Sequence, residues 1–228
     1  DKQPETLETI SENDNNNVKG SKLINNSLKR ENYQREMGKK ALDEAENEDV
    51  ILINDIDEIP NLDEIDFKKI NKKLIIFKQK TFYYKFNLYY KNLIWHGSKA
   101  CKKKNFISPQ WLRNVRHRKY PIWRLDMFFS KKKYNNIHYV ENGGWHFANL
   151  KTPEKLLYKY ENMCETKDNF VFNRSIDKKY LNLEKIKENI KDGKDIIGRK
   201  DIYEKIEIDN SFPDYIIKNK SLFKDWII

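Results

Sequence analysis

"VILINDIDEIP" (residues 50–60) runs four apolar residues straight into Asp55, Asp57 and Glu58 and stops at Pro60. A strand that shows no polar alternation is one covered on both faces, the mark of a layered α/β fold. The spacing predicts such a strand over Val50–Asn54. Just before it, Tyr33, Met37, Ala41 and Ala45 recur every four residues among Glu and Lys, which predicts a helix from Tyr33 to about Asn47. A helix leading into a buried strand sets the fold class as α/β.

The acids at the strand end carry the chemistry. At strand spacing Asp55 and Asp57 project to one side, so both carboxylates could meet one cation. Hard oxygen ligands whose shell is completed by water and phosphate oxygens suit Mg²⁺ or Mn²⁺ and hence diphosphate chemistry. In open α/β sheets ligands collect beyond the carboxyl ends of the strands, where these acids lie. A calcium loop starting at Asp55 is excluded, because Pro60 stands where the required glycine belongs. Acids after a strand are otherwise ordinary turn residues; the apolar lead, the third acid and the Ile-Pro stop favour the metal reading.

Downstream, Phe82, Tyr84, Phe86, Leu88 and Tyr90 alternate, as in an antiparallel strand or hairpin. The segment Trp95–Tyr139 has no clean period and is expected to form loops and short strands. In "GGWHF" (143–147), Gly143 and Gly144 would let backbone approach a ligand, Trp145 offers a flat face for a sugar ring, and His146 could bind metal or phosphate. "TPEKLLYKYENM" predicts a helix capped at Thr152 with Pro153 first, "NLEKIKENIKDG" one that stops at Gly193, and "FPDYIIKNKSLFKDWI" a last short helix.

The 228 residues suffice for one sizeable domain. Residues 1–32 read as a polar, flexible lead and 33–228 as a single domain. No apolar run is long enough for a membrane span, and the first residues lack a signal-peptide pattern. Cys101 and Cys164 lack the spacing of a zinc site or disulfide framework. Lys and Arg number 45 against 35 Asp and Glu, giving +10, with the charges dispersed along the chain.

Five blocks in order, "YQRE" (33–36), "VILINDIDEIP", "GGWHF", "KENIKDGKDIIGR" (187–199) and "FPDYIIKNKSLFKDWI" (212–227), resemble glycosyltransferase family 17, the family of the bisecting β-1,4-mannosyl-glycoprotein N-acetylglucosaminyltransferase. The resemblance implies a GT-A-like fold, a UDP-sugar donor such as UDP-GlcNAc, a glycan acceptor, a divalent cation (Mn²⁺ or Mg²⁺) and inversion at the anomeric carbon. Carried over by position, Asp55, Asp57 and His146 are the implied metal ligands. Gln34, Arg35, Gly144, Trp145 and the same three residues are implied donor-site residues. Glu165 and Glu58 are the candidate catalytic acids, with Glu165 as base and Glu141 and Asp126 as open alternatives. Bacterial relatives carry His two positions before that acid, where this chain has Met163.

Family members usually begin with a further strand and helix, to which nothing before Tyr33 is similar. The expectation is a fragment with weak or no activity alone. Eukaryotic members act on N-glycans in the Golgi; here the expectation is a transferase working at the cytoplasmic face, with peripheral attachment to a membrane left open. Two other readings compete: a nucleic-acid-binding protein, on Arg113, Arg116, Arg118 and Arg124 interleaved with Trp111, Tyr120 and Trp123, and an inactive glycan-binding relative.

Overall fold

The structure, a computed structural model, describes residues 4, 6–118, 120–121, 123–127, 129–162 and 181–228. Its first sheet has the order β1 (Val50–Ile53), β6 (Lys99–Lys102), β3 (Leu74–Phe77), β7 (Ile137–Val140). The second has the order β2 (Glu58–Pro60), β8 (Gly144–Ala148), β4 (Gln79–Tyr83), β5 (Leu88–Trp95), β9 (Glu204–Lys205). Each sheet is antiparallel except for one parallel pair, β3/β7 in the first and β4/β8 in the second. The protein is thus a mixed α/β fold with two mixed sheets flanked by helices.

The strand covered on both faces is β3, not β1. Leu74 and Ile76 pack with Cys101, Trp111 and Leu112 on one side, and Ile75 and Phe77 with Ala100 and Val140 on the other. Fully burying side chains of this size stabilises by about 2 kcal/mol each. β1 pairs only with β6, so it lies at the sheet edge and buries Ile51 alone. Its apolar character serves both flanking clusters from that edge: Val50 and Leu52 lean on one, Ile53 on the other.

The two parallel pairs are one pair that passes from sheet to sheet. β3 continues through Lys78 into β4, and β7 through a turn at 141–143 into β8. Lys78 N donates to the Val140 carbonyl (3.0 Å) and Gly143 N to the Lys78 carbonyl (2.9 Å). A Cβ on Gly143 would lie 2.5 Å from Lys78 N, and one on Gly144, which has φ +115°, 2.1 Å from the Ile59 carbonyl oxygen. These glycines serve the crossover of strands. The expected approach of their backbone to a ligand is therefore corrected, because protein backbone already fills the space.

Helix α1 spans Asn16–Met37, with Asn15 capping Val18 N, and a 3₁₀ turn follows over Gly38–Leu42. The expected helix from Tyr33 to Asn47 is thus displaced, and most of the supposed lead is helical. α1 is polar nearly all round, which hides it from periodicity. It is held by lateral bonds instead: buried Asn26 exchanges hydrogen bonds with the backbone of Glu8, and Lys22 and Lys29 donate to the Thr9 and Thr6 carbonyls.

The aromatic alternation after Phe82 is a hairpin, β4 with β5, turned by Tyr84 in the left-handed region (φ 63°). The middle segment hides a helix, α2 (Pro109–Asn114), capped by Ser108 with Pro109 first. α3 (Pro153–Asn162) begins as predicted, Lys155 N donating to Thr152 Oγ1. α4 (Leu183–Lys191) ends before Gly193 (φ 65°), and α5 (Asp214–Lys218) gives way to a 3₁₀ turn over Lys220–Trp226.

Candidate functional site

Strand alternation divides the second sheet into an aromatic face and a polar one. Phe82 of β4 and Phe147 of β8 stack 5.3 Å apart in a cluster with Phe212 and Ile216. On the opposite face Glu58, His146 and Thr81 fall side by side across β2, β8 and β4, with Gln79 and Trp95 next to them. Trp95 lays its ring on His146 (centroids 4.5 Å, 17° between planes). His146 Nδ1, Thr81 Oγ1 and Gln79 Oε1 are buried without a hydrogen-bond partner, a concentration of unmet polar atoms that is unusual in a sheet interior.

The acids leave β1 in a β-turn rather than at strand spacing. Glu58 N donates to the Asp55 carbonyl (3.0 Å), the Asn54 amide donates to the carbonyls of Asp55 and Glu58, and Ile56 stands fully exposed at the tip. The turn sends the three carboxylates in different directions. Glu58, with no exposed side-chain surface, accepts from Arg113 Nη1 (2.9 Å) and Nη2 (3.0 Å), Trp95 Nε1 (2.7 Å), Ser98 Oγ (3.2 Å) and Asp55 N (3.1 Å). Asp55 accepts from Arg113 Nη2 (2.6 Å) and Arg35 Nη2 (3.3 Å). Asp57 turns to His146, with Oδ2 3.6 Å from Nε2.

The candidate role of Glu58 in catalysis is revised accordingly, since five donors and complete burial leave it no path to a substrate. Its carboxylate ties the turn to Trp95, Ser98 and Arg113. Gly97 makes room for it: a Cβ there would lie 1.9 Å from Glu58 Oε1. Arg113 comes from α2, which also donates from Gln110 N to Glu36 of α1, while Gln110 Oε1 accepts from Arg35 (2.5 Å). Lys99, buried beneath, donates to the carbonyls of Arg113 and Val115 that end α2, and burial next to Arg113 pushes its ammonium down to about 8.

Asp57 is half-exposed, as Asp55 is, but has no arginine partner among the ion pairs of the described residues. Its carboxyl is held below the usual range chiefly by the neighbouring His146 imidazole, against the opposing effect of burial, with the charge of Lys159 adding a little. Phe147 N donates to the Asp57 carbonyl (2.8 Å), which fixes the residue level with the carboxyl end of β8. There Asn149 (φ 56°) accepts from Lys159 of α3 (2.6 Å) and donates to Tyr160. Asn takes the left-handed region more readily than other non-glycine residues, and here its side-chain bonds to α3 hold it there.

Asp57, His146, Asp55 and Arg35 thus gather around one turn, and the other expected residues do not. Trp145 lies on the aromatic face, its Nε1 donating to the Ser211 carbonyl (3.0 Å), so it shares no surface with His146. Gly144 is enclosed by β2, and Gln34 is exposed on α1. Glu165 lies outside the described residues. Glu141 pairs with Lys78 (2.7 Å), and Asp126 with Arg124 and Lys133.

No family model, curated protein or solved structure matches the chain.

Asp55, Asp57 and His146 do not converge on one point; among the described residues no three His, Cys, Asp or Glu side chains stand at metal-binding spacing. Asp57 and His146 alone offer an adjacent oxygen and nitrogen. Such a pair fits a cation that takes the rest of its shell from water and phosphate oxygens. The imidazole moves the choice from Mg²⁺ towards Mn²⁺ or a later metal. Arg113 and Trp95 are the residues that sequence reasoning did not assign to this turn. "SPQWLRN" carries a readable signal for the first, a Ser cap and first-turn Pro that start a helix pointing Arg113 inward.

Proposed function

We propose that the chain is a metal-assisted glycosyltransferase that takes a sugar from a nucleoside-diphosphate donor, with UDP-GlcNAc the first candidate, in a GT-A-like arrangement. The observation that carries the reading is the Asp57–His146 pair, set at the carboxyl end of the parallel strands β4 and β8. The ordered blocks that resemble glycosyltransferase family 17 support it.

In this reading Asp57 and His146 hold a divalent cation, which when bound supplies positive charge to the departing diphosphate. Asp55 has a different task. It orients the guanidinium of Arg35, and through Arg113 it is joined to the buried Glu58, so a rigid frame stands behind the turn. Arg35 is the cation best placed to turn from Asp55 to a phosphate oxygen. His146 is oriented by the Trp95 ring, and Trp95 by its bond to Glu58. The acceptor hydroxyl requires a base within hydrogen-bond reach; Glu165 remains the candidate.

The experiment is a donor screen with UDP-GlcNAc, UDP-Glc and UDP-Gal read by UDP release, alongside Mn²⁺ binding followed by electron paramagnetic resonance. Asp57→Ala should lower Mn²⁺ affinity at least about tenfold and remove UDP release. Unchanged Mn²⁺ affinity and turnover in that variant would overturn the proposal.

A further inference from the structure

Although Lys and Arg occur all along the chain, the net positive charge has one concentration. Between Arg116 and Lys133 seven Lys and Arg face a single acid, Asp126, a net +6 within a chain of +10. The base of this excursion is pinned: Arg116 N donates to the Lys132 carbonyl (2.8 Å), Trp111 Nε1 to the Lys131 carbonyl (2.6 Å), and Tyr120 N to Asn135 Oδ1 (3.1 Å). His117 stacks on His96 (4.2 Å) beside Gly97, so the base adjoins the frame behind the candidate site.

Three large apolar side chains stand out from it, Trp123, Leu125 and Phe129, at 80%, 72% and 90% exposed. Three such groups within seven residues would be costly to keep in water. The one acid, Asp126, is exposed but its charge is offset by ion pairs with Arg124 (2.7 Å) and Lys133. Arg116, Arg118, Lys131 and Lys132, which flank these residues in the same stretch of chain, are all exposed. Exposed aromatic and aliphatic side chains in one stretch with exposed Lys and Arg match the chemistry of an anionic lipid surface, where the apolar groups leave water and the cations meet phosphates. Nucleic acid would use the cations and the rings, but it gives Leu125 nothing to stack on.

We propose that the described residues between Arg116 and Lys133 form a membrane-docking surface that inserts Trp123, Leu125 and Phe129 into the headgroup boundary of an anionic bilayer. This inference is independent of the reading of the Asp57 site.

The test is co-sedimentation of the full chain with phosphatidylcholine vesicles, with and without phosphatidylglycerol. The wild type should bind only the anionic vesicles, and less at high salt. The triple variant Trp123→Ser/Leu125→Ser/Phe129→Ser should bind at least about tenfold more weakly, with an unchanged melting curve because these side chains are exposed. Lys131→Glu/Lys132→Glu should weaken binding as well, and brominated lipid should quench fluorescence in the wild type more than in Trp123→Phe. Any of three results would overturn the proposal: no binding to anionic vesicles, equal binding by the triple variant, or DNA retained more tightly than vesicles and unaffected by the triple variant. A concentration-dependent dimer that the triple variant abolishes, without vesicle binding, would reassign the face to self-association.

Discussion

Replacing Arg113 by Ala would strand a carboxylate. Glu58 has no exposed side-chain surface and Arg113 only 11%, so solvent does little to screen the pair. Without the guanidinium, Glu58 keeps three neutral donors, Trp95 Nε1, Ser98 Oγ and Asp55 N, and no directly bonded cation, buried Lys99 acting only through its charge. Breaking a buried pair from one side costs about 3–5 kcal/mol, and the surviving hydrogen bonds place this case near 3. A domain's whole stability is on the order of 5–15 kcal/mol, so the loss is a large part of it. In urea, with a slope of about 2–3 kcal/mol per molar, the midpoint should fall by roughly 1–1.5 M, read by tryptophan fluorescence. Removing both charges in Arg113→Met/Glu58→Leu should recover about half of the loss, since the stranded charge is what is costly. A midpoint shift below about 0.3 M, or a double variant as unstable as the sum of the two single ones, would refute the assignment of this pair as the frame of the site.

Gly144→Ala should destabilise by about 2–4 kcal/mol and lower the melting temperature by roughly 5–10 °C, because its Cβ would meet the Ile59 carbonyl at 2.1 Å on a backbone of φ +115°. Gly38→Ala, where a Cβ meets nothing within 4 Å, is the control and should leave the melt unchanged or slightly raised. Burial, assisted by the stacked His117 and by Lys78 and Lys99, pushes His96 down to about 4. The unfolded chain protonates this residue near pH 6.5, so its contribution is complete above about 6.5 and is lost as pH falls towards 4. The partly exposed ring limits the effect to about 1–2 kcal/mol, and His96→Gln should flatten urea midpoints measured between pH 7 and 4.5.

Legibility in the sequence followed the physics of each signal. The strand at Val50, the hairpin after Phe82 and the starts of α3 and α4 were readable, because apolar runs and Thr or Asn caps act locally. The position of β1 was not, since an apolar run looks the same at a sheet edge between two clusters as it does in the middle. α1 escaped because its support comes from side chains reaching residues 6–9, partners that no helical period reveals. At the site, Asp57 and His146 were both named and the structure does bring them together. Trp145 is named beside His146 in the sequence, yet the two lie on opposite faces, as the phase of the strand implies: in "GGWHF" the residue next to His146 must point the other way. Arg113 was seen only as one of a row of cations, and its partner Glu58, 55 positions away, becomes visible only once the chain is folded.

The two faces of the second sheet are written in alternate letters of the same short words. Thr81 and Phe82, His146 and Phe147, Glu58 and Ile59 each put one residue into the polar side and the next into the aromatic side. A deletion of one residue within the 141–143 turn would change the phase of that spelling on β8 alone. His146 would then be aimed at Phe212 and Phe147 at Asp57. The chemistry at the turn therefore depends on counting as much as on side-chain identity, and a length change in this turn should be harder to tolerate than most substitutions within it.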